Sequence, residues 1–244
     1  MSKYYIGKYN PDSESYYKIS RSKVDFFLNC PRCFYLDRRL GIRQPPGFPF
    51  NLNSAVDALL KNEFDLFRKK QKPHPYIKKL GLNAVPFKHE DIEKWRFNFK
   101  GVSHDHDKLN FHLFGAVDDI WINLDSNELI VVDYKATSKS TEVTLDADWQ
   151  IAYKRQMEFY QYLLRKNGFK VSDTSYFVYC NGVRNKSSFN EKLDFKVSLI
   201  PYKGNDSWVE KILGEIHSLL REDTVPDYTN QCSHCKYQLS LNKI

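Results

Sequence analysis

Apolar positions along this chain follow two spacings, one that suits helices and one that suits strands. Val24, Phe27 and Leu28 share one face of a helix that Ser20 would cap and Cys30-Pro31 would end, and a second short helix is expected around residues 34–40. Gln44-Pro45-Pro46-Gly47 then breaks the chain. Over residues 53–69, Val56, Leu59, Leu60, Phe64 and Phe67 recur at helical spacing, while Asp57, Lys61 and Asp65 line another face. Residues 70–100 are basic, interrupted by Pro73, Pro75 and Pro86, and read as a connecting region. Residues 111–124 and 129–135, rich in β-branched and aromatic side chains, flank the turn-forming set Asp125-Ser126-Asn127-Glu128 and read as a β-hairpin. A helix over 149–166, ended by Asn167-Gly168, strands over 175–180 and 192–200, and a helix over about 207–220 complete the pattern.

This order of elements predicts an α/β fold with a mixed central sheet flanked by helices. Residues 1–19, polar and Tyr-rich with a turn at Pro11-Asp12, are expected to form a loosely attached arm, and residues 20–244 a single domain. No apolar run reaches the ~20 residues of a membrane helix, and the first residues lack a signal-peptide core, so a cytoplasmic protein is expected. The formal charge of +7 favours encounter with polyanions without identifying one. Four of the five cysteines form two C-x-x-C pairs, Cys30/Cys33 and Cys232/Cys235, a pattern that in a reducing compartment points to a metal before disulfides. Cys180, on an expected strand, reads as a core residue.

Phosphodiester hydrolysis needs a divalent cation with oxygen ligands, an activated water, and positive charge where negative charge builds up. The hairpin offers these parts. Alternation puts Asp133 and Lys135 on one face with Tyr134 pointing away, and Asp118 sits on the neighbouring strand. A cation between the two carboxylates could also take the Tyr134 carbonyl, leaving Lys135 to orient water and steady the phosphate. The plainer reading is an Asp118–Lys135 ion pair; the apolar runs around these charges favour the site. Gln156 and Tyr160, four apart on one helix face, offer an amide and a phenol to DNA phosphates or to the attacking water, although a half-buried face explains them equally well. His104 and His106 flank Asp105 in what reads as an exposed polar loop. No phosphate-binding glycine loop, G-x-S-x-G elbow or H-E-x-x-H occurs.

The order Gly115-x-x-Asp118, Asp133-x-Lys135, Gln156-x-x-x-Tyr160 resembles motifs of RecB-like PD-(D/E)xK nucleases. The stretch Ser20-Arg21-Ser22 followed by Cys30-Pro31-Arg32-Cys33-Phe34-Tyr35-Leu36 is similar to the opening of the iron–sulfur exonucleases of CRISPR adaptation and of AddB-type repair nucleases. The resemblance implies a restriction-endonuclease-like fold, with the N- and C-terminal segments joined by a four-cysteine metal clasp. It also implies Mg2+- or Mn2+-dependent DNA cleavage, with a preference for single strands or ends, in repair, recombination or CRISPR-type defence, and a helicase or integrase as partner. Two departures stand out. Those nucleases carry a metal-binding His on the helix before the hairpin, where this chain has none between 51 and 73. Asp57 is the residue placed there, with Glu63 and Asp65 as alternatives and an Asp57–Lys61 surface pair as the plain reading. Their 4Fe–4S cluster uses one N-terminal and three C-terminal cysteines, whereas this chain has two and two, with Cys33 in place of the missing one. Four thiolates in two pairs also describe a zinc site, and four free thiols remain the bland alternative. A silent nucleic-acid-binding relative, or a subunit of a larger DNA-processing complex, is the alternative function.

Overall fold

The most apolar run of the chain, Leu129-Ile130-Val131-Val132, becomes the buried middle of a five-stranded sheet. The computed structural model describes residues 2–47 and 51–242. In chain order its elements are β1 (Tyr4–Tyr5), β2 (Tyr16–Ser20), α1 (Arg21–Asn29), α2 (Pro31–Tyr35), α3 (Asn51–Lys70), α4 (Pro75–Lys79), β3 (Ala84–Pro86), α5 (Ile92–Arg96), β4 (Val102–His106), β5 (Phe111–Gly115), β6 (Asp119–Asn123), β7 (Leu129–Thr137), α6 (Ile151–Lys166), β8 (Thr174–Gly182), β9 (Phe195–Lys203), α7 (Val209–Arg221) and α8 (Ser233–Leu241). They divide into two compact units. One comprises Met1–Gly47, Ser103–Gly115 and Ser207–Ile244, the other Phe48–Val102 and Ala116–Asp206. Among the described residues no helix is long and apolar enough to cross a membrane.

The second unit holds the sheet β3-β6-β7-β8-β9, in which β7 and β8 run parallel and the other neighbours antiparallel. Both faces of β7 are covered, which explains its nearly unbroken apolar sequence. Leu60 and Phe64 of α3 pack on the face carrying Ile130, Val132 and Tyr134, and Phe64 stacks on Trp121 at 5.6 Å. Emptying such a fully buried phenyl position costs on the order of 3–5 kcal/mol. On the opposite face α6 packs against β7, burying Met157, Phe159, Leu163 and Leu164. The expected mixed sheet flanked by helices is therefore present, on α3 and α6 as anticipated. Leu59, however, points to solvent at 68% exposure, because the buried face of α3 runs through Leu60, Phe64 and Arg68.

The first unit contains a second sheet, ordered β1-β2-β5-β4. Residues 1–19, expected as a loose arm, supply β1 and most of β2. Tyr17 and Ile19 alternate with polar neighbours and are fully buried, pairing beside Phe111 and Leu113 of β5. Residues 111–124 are not one strand. The chain leaves β5 at Gly115 and re-enters a different sheet as β6 at Asp119, while the Val117 amide donates to the Trp95 carbonyl at 3.1 Å. Two shorter runs of good strand formers, separated by only Ala116-Val117-Asp118, look like one long strand in sequence. The connecting region 70–100 contains α4, β3 and α5, each five residues or fewer and so below what periodicity can register. His104 and His106 lie on β4 and not in a loop, with His106 Nε2 3.0 Å from Glu210 Oε2. The last strand begins at Phe195, later than expected, and the tail holds the helix α8.

Candidate active site and thiolate centre

Two consecutive aspartates at the start of β6 are turned to opposite sides by strand alternation. Asp118 stands just before the strand, where its Oδ2 accepts from the Tyr134 amide at 2.9 Å. In a strand the N–H and C=O of one residue leave on the same side, so the Tyr134 carbonyl also faces the end of β6. The Tyr134 ring goes to the α3 face, and the next positions in register behave as expected: Asp133 and Lys135 share the α6 face and form a buried ion pair. Asp57 arrives from α3. Its Oδ2 accepts from Lys61 Nζ at 2.8 Å, and the same ammonium lies 3.8 Å from Asp118 Oδ1. Asp57, Lys61, Asp118, Tyr134 and Lys135 line one cavity of about 480 Å3. Of the alternative α3 carboxylates, Glu63 pairs with the buried His74 at 2.8 Å and Asp65 with Arg96 at 2.9 Å.

Gln156 and Tyr160 do not reach this cavity. The Gln156 amide donates to Asp133 Oδ1 at 2.8 Å and lies 3.0 Å from the Tyr160 hydroxyl, and both residues are buried. The pair therefore holds the Asp133 carboxylate. The expected arrangement is an amide and a phenol turned to DNA phosphates or to the attacking water, whereas the face of α6 that carries them is the one packed on β7.

The carboxylates have the electrostatics of a site that wants a cation. Burial raises the Asp57 carboxyl above its ordinary value, and the nearby charge of Asp118 pushes the same way against the pull of Lys61. Burial likewise raises Asp133; Lys135 opposes this and Asp118 adds to it. Burial alone would lower the Lys135 ammonium, yet Asp133 and Asp118 outweigh it and hold Lys135 charged. Asp57 Oδ1 is buried with no hydrogen-bond partner among the described residues. A buried carboxylate oxygen without a donor is costly, and a hard divalent ion between Asp57 and Asp118 would relieve it. The residues fit such an ion.

Lys61 occupies that position with its own charge. An ammonium tethered between two carboxylates competes with a divalent ion at roughly the level of a half-exposed ion pair, about 1 kcal/mol. Lys61→Met should therefore tighten Mn2+ binding several-fold in calorimetric titration. Weaker binding in that variant would mean that Lys61 orients Asp57 and does not compete.

Asp119 was not legible as a special residue in the sequence. It is fully buried and receives Arg68, Arg96 at 3.0 Å, the Tyr134 hydroxyl at 2.7 Å and its own following amide. These contacts pin β6 and β7 behind the cavity, and so fix Asp118 and the Tyr134 backbone. The doubled Asp-Asp was the available signal, since one of two adjacent strand residues must face inward.

In the first unit, Pro31 opens α2 so that Cys30 and Cys33 stand one turn apart, with the Cys33 amide donating to Cys30 Sγ at 3.3 Å. Cys232 and Cys235 are offered by the start of α8. Arg32 fastens the approaching tail, donating to the Pro226 carbonyl at 2.7 Å and lying 3.8 Å over the Tyr228 ring. The four sulfur atoms all lie within 4.8 Å of one another, with Cys30–Cys235 at 3.6 Å, Cys33–Cys232 at 3.7 Å and Cys33–Cys235 at 3.9 Å. Burial raises the Cys33 and Cys235 thiols, and so does the sulfur charge beside them. For Cys30 burial acts the same way, but hydrogen bonds from Thr229 and the Cys33 amide outweigh it and bring the thiol down to about 7. Four thiolates this close need a positive ion, and the group could hold a metal. As expected from the spacing, it joins the N- and C-terminal segments. Cys180 is buried among core residues of the other unit.

No curated protein matches the chain. A family model described as the PD-(D/E)XK nuclease superfamily matches residues 18–239, a span that includes both C-x-x-C pairs and every carboxylate of the cavity. With most of its length matched by that family and a D-x-K strand converging with Asp118 on a cation-seeking cavity, the chain belongs to the PD-(D/E)XK nuclease superfamily.

Proposed function

We propose that the protein is a Mg2+- or Mn2+-dependent deoxyribonuclease of the RecB-like branch, acting on single strands or ends, with residues 20–244 as its functional nuclease domain. Membership of the superfamily implies phosphodiester hydrolysis with a divalent metal and DNA as substrate. The observation that carries the reading is the convergence of Asp57, Asp118, Tyr134 and Lys135 on one cavity, with the Asp57 oxygen left unpartnered. Asp57, Asp118, Asp133 and the Tyr134 carbonyl would hold the ion. When bound, it supplies charge neutralisation at the phosphate and makes a water acidic enough to attack near neutral pH. Lys135 pulls Asp133 toward its ionised form against burial and presents its ammonium at the cavity, where it can meet a phosphate oxygen as charge builds on it. Gln156 and Tyr160 act one step back, fixing the Asp133 carboxylate. A cytoplasmic role in repair, recombination or CRISPR-type defence, beside a helicase or integrase, belongs to the same reading. It is tested by incubating purified protein with single- and double-stranded DNA with and without added Mn2+ or Mg2+, in the absence of chelator. Cleavage only with the ion supports it.

A second reading has one observation in its favour. Lys61 already bridges Asp57 and Asp118 as a metal would, which suits a relative that binds DNA and does not cut. Such a protein would retain DNA binding while every divalent ion fails to start cleavage.

For the thiolate centre the sulfur spacing favours a single tetrahedral ion, zinc, over the 4Fe–4S cluster that the family resemblance implies. Four sulfurs bonded to one zinc stand about 3.8 Å apart, given Zn–S bonds of about 2.3 Å; three of the six sulfur pairs lie at 3.6–3.9 Å and all six within 4.8 Å. A cluster puts each thiolate on a separate iron and spreads the sulfurs by a further iron–iron separation.

A further inference from the structure

Trp149 is 55% exposed, while Trp95 and Trp121 are buried. Its exposure is built in. It sits on the 3-10 turn Asp148–Gln150, and the fully buried Gln150 braces that turn by donating to the Thr144 carbonyl at 2.7 Å and accepting from the Ala147 amide at 3.0 Å. The Trp149 ring meets the edge of Tyr153 at 5.3 Å, and Tyr153 in turn lies under Lys135 Nζ at 4.4 Å on the wall of the carboxylate cavity. Lys139 Nζ stands 5.4 Å from the Trp149 ring.

We infer that Trp149 is a stacking platform for an unpaired nucleobase of the strand whose phosphate lies at Lys135, an inference that rests on the nuclease reading above. Lys135, Tyr153, Trp149 and Lys139 form a continuous row, two adjacent aromatic rings with a cation at each end, which offers stacking surface for bases between two partners for phosphates. Asp148 precedes the tryptophan on the turn and disfavours a phosphate there, so the uncharged face of a base is what can settle on the ring. Bases inside a duplex are stacked on each other and cannot do so. The platform therefore discriminates for single strands.

The test is equilibrium binding with no added divalent ion and no chelator, so that nothing is cut and the four-cysteine centre stays intact, of a fluorescent oligothymidylate of about twelve nucleotides and of a blunt duplex of the same length. Trp149→Ala should weaken single-strand binding about tenfold, the loss of one stacked base, and duplex binding less than twofold, with Trp149→Phe restoring most of the difference. Because the side chain is exposed, both variants should melt with the wild type. Equal weakening for both DNAs, or none, overturns the platform and leaves the nuclease reading intact. A wild-type protein that binds neither DNA removes both.

Discussion

Replacing Lys135 with alanine is expected to slow DNA cleavage by about two to three orders of magnitude, the usual loss when one preorganised positive donor is taken from a developing oxyanion. Its ammonium has two partners in prospect, the Asp133 carboxylate it already pairs with and the phosphate that enters the cavity. Removing it also leaves a fully buried carboxylate unpaired, a situation that costs on the order of 3–5 kcal/mol when the survivor stays charged. Asp133 has a way out. Burial already raises its proton affinity, so without Lys135 it takes up a proton and the fold survives. The melting temperature of Lys135→Ala, and of the doubly neutral Lys135→Met/Asp133→Asn, separates a lost site from a lost fold. Cleavage by Lys135→Ala at the wild-type rate in Mn2+ would sink the assignment of this lysine.

Much of that site was readable before the structure because its parts are local. Asp133, Tyr134 and Lys135 are consecutive on one strand, and alternation alone decides which two share a face. Asp57 was reached through the family resemblance, by its position in Ala55-Val56-Asp57-Ala58-Leu59 on the helix where those nucleases carry a His. What escaped the sequence depends on partners far along the chain. Arg68 and Arg96 are charged residues on amphipathic helices, and only the fold brings both to Asp119. Gln156 and Tyr160 were correctly paired on one face of α6, but spacing says nothing about which wall a face meets, and it meets Asp133. The tyrosine-rich opening misled for a different reason. Tyr17 counts as polar in a pattern and as a large apolar body in a core, where its hydroxyl needs only one acceptor, the Gly7 carbonyl at 2.6 Å.

Stripping the metal from the four-cysteine centre should produce the largest change in stability. The centre connects positions about two hundred residues apart in sequence, with Cys30 Sγ 3.6 Å from Cys235 Sγ and Cys33 Sγ 3.7 Å from Cys232 Sγ, so without it the closure of a very long loop rests on the tail's other contacts. Structural zinc in small domains is worth about 10–16 kcal/mol of apparent binding energy. Here Arg32, Tyr228 and the Tyr35 hydroxyl, which donates to the Glu222 carbonyl at 2.8 Å, hold the tail independently, so only a part of that is at stake. A loss of roughly 5 kcal/mol corresponds to about 10–20 °C in Tm for a chain of this size. Cys235→Ser should show it without a chelator, since Cys235 is the fully buried member and touches both Cys30 and Cys33. Metal analysis decides the ion: one zinc per colourless chain is expected, and a brown protein absorbing near ~400 nm would replace zinc by iron and sulfide. Melting that ignores both the chelator and the substitution would mean four thiols with no ion.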